Sequence, residues 1–185
     1  VYDPGPLKNT RVHEGFQDAL FPAVISITNL IDRFQAPAEE KQKKIWFTGH
    51  SLGAAQCSLY AAMLIEHGYD VYGIYTFASP RCGNAEFADA LNAAVPGPHW
   101  RVINDGDIVP HVPPEPFYSH AGKRMILEKT KRESSKSAWR RVKRKMFEVL
   151  MDMTGRPWDI ADNHVLDDPE SGYLMRLKRD LSSRK

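Results

Sequence analysis

The residues with the clearest chemical content are Gly49-His50-Ser51-Leu52-Gly53. They match G-x-S-x-G, a pattern that sets a serine on a tight turn between a strand and a helix. Such a turn crowds the positions two before and two after the serine, which predicts that Gly49 and Gly53 must both lack side chains. It also leaves the serine at a helix N-terminus, where free N–H groups and the helix dipole favour a developing negative charge. The chemistry would be attack of the Ser51 hydroxyl on a carbonyl carbon. A serine hydroxyl is a poor nucleophile at neutral pH, so it needs a base, and the base needs an orienting acceptor.

In a strand-and-helix fold with this turn, the acid and then the histidine follow the serine along the chain. Asp105 and Asp107 both follow an apolar run, Trp100 to Ile103, and spacing does not choose between them. Either is also ordinary turn chemistry in Asn104-Asp105-Gly106-Asp107. Three histidines lie beyond them: His111, His120 and His164. His111 is held in a proline-stiffened loop only four residues past Asp107. His120 sits just before a predicted strand. His164 lies in a loop before the last predicted helix, from which a side chain can hang over the sheet edge beside the serine, and it is favoured as the base.

The elements that must position these groups are legible as periodicities. Phe16 to Phe34 carries apolar residues at helical spacing and predicts a helix with one wide buried face, ended by Pro37 and the polar run 39–44. Ile45 to Thr48 reads as a buried strand and Leu52 to about His67 as the helix after the serine. Val71 to Phe77 reads as the next strand. Asn84 caps a third helix, stopped by Pro96-Gly97. Trp100 to Ile103 and Arg124 to Glu128 complete the strands. A helix over 137–153 and a last one starting at Asp168-Pro169-Glu170 close the chain. Strands alternating with helices predict an α/β fold, a mostly parallel sheet covered by helices on both faces.

The 185 residues form one domain, 1–185, with a basic helical insert over 129–153. Hydrophobic residues at 42% and charged residues at 26% describe a globular chain rather than a disordered one. No apolar stretch approaches the roughly 20 residues that span a bilayer. Twenty-five Lys and Arg against 23 Asp and Glu give a net charge of +2, which does not argue for a nucleic-acid partner. The two cysteines, Cys57 and Cys82, read as free thiols. The chain opens on Val1 and reads as the middle of a longer protein, so compartment and oligomeric state stay open.

Five stretches together resemble the class 3 lipase family, the α/β-hydrolases that include the fungal triacylglycerol lipases. They are Val12-His13-Glu14-Gly15-Phe16, Thr48 to Ala55, Phe77-Ala78-Ser79-Pro80-Arg81-Cys82-Gly83-Asn84, Asn104 to Pro114, and Tyr118-Ser119-His120-Ala121-Gly122. Ala78 stands where the family usually has glycine. The resemblance implies that Asp107, directly before Ile108-Val109-Pro110, is the acid of a Ser51–His164–Asp107 triad and that His120 is structural. It also implies that the Leu52 N–H donates to the oxyanion. The family's second oxyanion donor and its lid come from an upstream strand that nothing before Val12 matches, so the resemblance implies a chain without them.

The reaction these readings imply is hydrolysis of a carboxylic ester, of an acylglycerol-like lipid, with no metal or organic cofactor. Two alternatives stay beside it: a lipase-like chain that binds without turnover, and a hydrolase of thioesters or feruloyl esters. Within Trp139 to Met151, the residues Trp139, Val142, Met146, Val149 and Leu150 share a helical face flanked by Lys and Arg. That stripe fits peripheral contact with an anionic membrane, or else core packing with a solvated basic face.

Overall fold

The computed structural model describes residues 2–35, 43–128, 164–169 and 172–183. The predicted helix over 137–153, with its basic flank and the Trp139–Met151 stripe, lies outside the described residues, as does the Pro37 stop.

Strands β1 (Tyr2–Pro4) and β2 (Arg11–His13) form an antiparallel hairpin that leads into helix α1 (Glu14–Phe34). Four parallel strands follow: β3 (Ile45–His50), β4 (Val71–Phe77), β5 (His99–Asn104) and β6 (Lys123–Leu127). They lie side by side in chain order. Helices α2 (Leu52–Glu66) and α3 (Ala85–Ala94) make the first two crossovers. Right-handed crossovers that always step in one direction put their helices on one face of the sheet. Accordingly Leu59 and Ala62 of α2, Phe87 and Leu91 of α3 and Ile74 of β4 share one core with Phe16 and Leu20 of α1. Helix α4 (Tyr173–Ser182) closes a smaller core, where Tyr173 and Leu177 pack with Ala78, Val102, Leu127 and Met125. Among the described residues this is an α/β fold with a parallel sheet and helices on both faces.

Local signals act as chemistry predicts at several joints. The Asn84 side chain accepts the Phe87 N–H at 3.0 Å and fixes the start of α3. Cys57 and Cys82 are both free. Ala78, at the position where glycine is usual, is held at φ 53°, in the left-handed region that an alanine adopts only at a cost.

Three expectations are corrected. The run Ile45 to Thr48 is a strand, but not a buried one: β3 is the edge of the four-stranded sheet and Trp46 is 50% exposed. An apolar run reports β-forming residues, not whether a neighbour lies on each side. Helix α1 buries only Phe16, Gln17 and Leu20, while Leu30 and Phe34 stand exposed. It leans on α2 with part of its apolar arc and leaves the rest uncovered. The last helix begins at Tyr173, not at Asp168. Gly172 is its N-cap, and a Cβ on Gly172 would lie 2.5 Å from the Asp168 nitrogen. The Gly172 N–H donates to the Asp168 carbonyl at 3.1 Å, so the chain turns here before the helix starts.

Candidate active site

Ser51 stands between the last residue of β3 and the first of α2, at φ 57° and ψ −129°. A non-glycine residue persists in that region only where its surroundings hold it. Here the Ser51 N–H donates to the Phe77 carbonyl of β4 at 3.0 Å, and the Ser51 carbonyl accepts the Ala54 N–H at 3.0 Å. The crowding expected around the turn falls on one side of it. A Cβ on Gly49 would meet the Gly53 carbonyl oxygen at 2.6 Å and the Cys57 sulfur at 2.7 Å. A Cβ on Gly53 would meet nothing within 4 Å, so the steric demand rests on Gly49 alone.

The structure brings Ser51, His164 and Asp107 into one chain of hydrogen bonds. Ser51 Oγ lies 2.7 Å from His164 Nε2. His164 Nδ1 lies 3.0 Å from Asp107 Oδ2 and 3.1 Å from Oδ1. A carboxylate accepts only, so Nδ1 carries the imidazole proton and leaves the Nε2 lone pair facing the serine hydroxyl. Both His164 and Asp107 are buried. Asp105 is not part of this chain: its side chain is exposed and its N–H donates to the Leu127 carbonyl. Leu52 opens α2, whose first N–H groups have no acceptor within the helix.

A carboxylate at 2% exposure needs more than one donor. Asp107 Oδ1 accepts the Val109 N–H at 3.0 Å, in the turn that leads into Pro110. Oδ2 accepts the Tyr173 hydroxyl at 2.6 Å. Burial first, then the neighbouring Asp107 charge, push the Tyr173 hydroxyl far above its ordinary pKa, so it remains a donor. Helix α4 also sends Arg176, fully buried, to the Asp105 carbonyl at 3.2 Å, so one helix holds the Asp105–Asp107 loop at two points. On the other side, His50 Nε2 donates to the His164 carbonyl at 2.7 Å, with its ring against both His164 and Tyr173. Burial lowers the His50 pKa, which keeps that ring neutral beside His164.

Tyr173 and Arg176 carry no sequence signal for this site. Tyr173 occupies an ordinary apolar helix position, and only its hydroxyl reaches Asp107. Of the other histidines, His111 makes no hydrogen bond through its ring to a described residue, and His120 Nε2 donates to the Pro110 carbonyl at 2.7 Å. Burial, then the positive charge of Arg101, lower the His120 pKa to about 3. The unfolded chain would bind a proton there near pH 6.5, where the folded chain does not. The stability tied to this group is therefore complete above pH 6.5 and is lost as pH falls toward 3. His120→Gln keeps a donor for Pro110 without the titration. Its unfolding free energy, measured by denaturant titration, should fall less steeply between about pH 6 and 4, by up to about 1.4 kcal/mol per pH unit. Equal slopes in parent and variant would exclude this role for His120.

A serine on a strand-to-helix turn, with an aspartate and a histidine from later loops at the same sheet edge, is the constellation of the α/β-hydrolases. The pattern of the family Lipase (class 3) matches residues 2–117. A secreted mono- and diacylglycerol lipase of Malassezia globosa is 34% identical over 119 residues, covering 63% of this chain and 37% of that protein. A lipase of Rhizomucor miehei is 33% identical over 123 residues, covering 63% of this chain and 33% of that one. The crystal structure of a lipase from Rhizopus microsporus var. chinensis superposes with a TM-score of 0.60 at 32% identity, over 68% of this chain and 45% of that one. The chain belongs to the class 3 lipase family, and it spans between 33% and 37% of the length of these two relatives.

Proposed function

We propose that this chain hydrolyses carboxylic esters, of acylglycerol-like lipids, through Ser51, His164 and Asp107. The observation that carries the reading is the 2.7 Å approach of Ser51 Oγ to a His164 nitrogen whose partner nitrogen is committed to Asp107. His164 Nε2 takes the hydroxyl proton as Oγ forms its bond to the ester carbonyl carbon. Asp107 holds the ring in the required tautomer and stabilises the imidazolium. The Leu52 N–H donates to the oxyanion. The imidazolium then passes its proton to the departing alkoxide, leaving an acyl-serine. Water, deprotonated by His164, attacks that acyl group and restores the hydroxyl. The substrate class is supported by the relatives, named as lipases and as mono- and diacylglycerol lipases. It is also supported by a structural neighbour described as a triacylglycerol lipase with a serine-protease triad at its catalytic centre, superposing at a TM-score of 0.56 and 30% identity.

A fluorophosphonate probe tests the reading. Covalent labelling confined to Ser51, together with release of nitrophenol from a nitrophenyl ester, is the expected result. A second reading is ester binding without turnover. It would give a protein that binds the ester yet neither labels nor hydrolyses.

The lipid-facing part of the proposal includes the stripe Trp139 to Met151, argued from sequence alone. Vesicle co-sedimentation should show retention on anionic vesicles and little on neutral phosphatidylcholine. Equal retention on both would remove the electrostatic contact.

A further inference from the structure

Val102 and Met125 pack into the core under α4. Side chains alternate along a strand, so their neighbours Arg101 and Arg124 project from the opposite face. The two arginines are register partners on β5 and β6. Like charges placed directly opposite on neighbouring strands repel and destabilise the pair. No ion pair involves either of them among the described residues. Arg101 is half-buried, and its Nε is buried with no hydrogen-bond partner. Burial, then Arg124 and Arg81, lower the Arg101 pKa to about 10, which leaves it charged at neutral pH.

The surroundings add one guanidinium group and one carboxylate already paired with it. Arg81 is buried and reaches the Pro113 carbonyl at 3.0 Å and Glu115 Oε1 at 2.8 Å, while its own Nε is buried without a partner. Glu115 is thus already engaged, and its side chain is 69% exposed. His120 and His111 stand in the same electrostatic neighbourhood, but burial holds both below the ordinary histidine range, so neither contributes charge near pH 7. Three guanidinium groups and one carboxylate leave an excess of two positive charges around a half-buried, unpartnered donor.

We propose that Arg101 and Arg124, backed by Arg81, form a binding site for a phosphate-type oxyanion. Neighbouring strands lie about 4.8 Å apart, so two guanidinium forks on adjacent strands can bracket one tetrahedral anion. A dianion matches the excess of two charges, whereas a single carboxylate would leave one uncompensated. The planar fork of arginine suits phosphate oxygens, and such an anion supplies the acceptors that Arg101 lacks. The site is independent of ester hydrolysis. A free phosphate and a phosphomonoester headgroup present the same chemistry to it.

The test is calorimetric titration of the full 185-residue chain with inorganic phosphate, at an ionic strength held constant with sodium chloride. Saturable binding to the parent is expected, with Kd raised at least tenfold in Arg124→Gln and in Arg101→Gln. Arg124 is exposed, so its variant keeps the test intact even where Arg101→Gln fails to fold. Thermal melts separate a binding role from a structural one. Without phosphate, Arg101→Gln should melt at or above the parent, because the repulsion is gone, and it should lose the phosphate-dependent rise in Tm. An arginine that only supports the fold would instead lower Tm at every phosphate concentration and leave Kd unchanged, and that result overturns the proposal. So does equal binding by parent and Arg124→Gln, or no heat beyond that of chloride. Glycerol 3-phosphate resolves the source: affinity matching inorganic phosphate assigns a phosphomonoester headgroup, and its exclusion assigns the free anion.

Discussion

Ser51→Ala is expected to lower kcat for a nitrophenyl ester by on the order of 10⁴-fold or more while the fold survives. In the proposed mechanism the hydroxyl is the atom that forms the acyl bond, so the residual rate would come only from binding and the Leu52 N–H. The fold should tolerate the change for a specific reason. The backbone bonds that hold the turn, from the Ser51 N–H to Phe77 and from the Ala54 N–H to Ser51, do not involve the side chain. Alanine at φ 57° carries the same class of strain as serine does there, so Tm should move by no more than a few degrees. Loss of hydrolysis together with loss of fluorophosphonate labelling, at unchanged circular dichroism, is the predicted pattern. Turnover close to that of the parent would end the assignment.

Asp107→Asn is expected to cost about 10⁴-fold in kcat/KM, or about 5.5 kcal/mol of transition-state stabilisation. The reason is a conflict of donors. The two oxygens of Asp107 receive the Val109 N–H, the Tyr173 hydroxyl and His164 Nδ1. An amide has one acceptor end and one donor end. If its oxygen keeps the Val109 N–H, its NH2 group faces Tyr173 and His164. Nδ1 must then accept, the imidazole proton moves to Nε2, and the base meets the serine hydroxyl as a donor. If the amide turns around, its NH2 opposes the Val109 N–H in a buried site, which costs about 1–3 kcal/mol. Asp105→Asn is the control. Its side chain is exposed and outside the relay, so its kcat/KM should stay within a few-fold of the parent. Equal losses in the two variants would mean that the wrong carboxylate has been given the role.

The parts of the fold that were legible in the sequence are those whose cause is local. Strand β4 occupies the run Val71 to Phe77, and α3 starts where Asn84 caps it, because β-branched density and a cap are properties of a few adjacent residues. What was not legible is who stands beside whom. Ile45 to Thr48 looks the same whether it lies in the middle of a sheet or at its edge. Phe34 and Leu30 look the same whether or not something covers them. Helix α4 offered a plausible cap at Asp168, but its N-cap is Gly172, packed closely on the Asp168 backbone, and the helix starts at Tyr173. The site divides in the same way. The turn around Ser51 is a five-residue signal, but its partners lie 56 and 113 residues away in the chain, and spacing alone left two aspartates and three histidines open. Tyr173 gave no signal, since a phenol that fills a core and a phenol that also holds a carboxylate have the same letter.

Tyr173 has one further consequence. Its ring is part of the smaller core under α4, and its hydroxyl is a ligand of the buried acid. Softening that minor core and detuning the proposed proton relay are therefore a single event. Under the proposed mechanism, heating should abolish ester hydrolysis at the temperature where this patch loosens, ahead of the larger α1–α2–α3 layer, so inactivation and global melting become two separate curves.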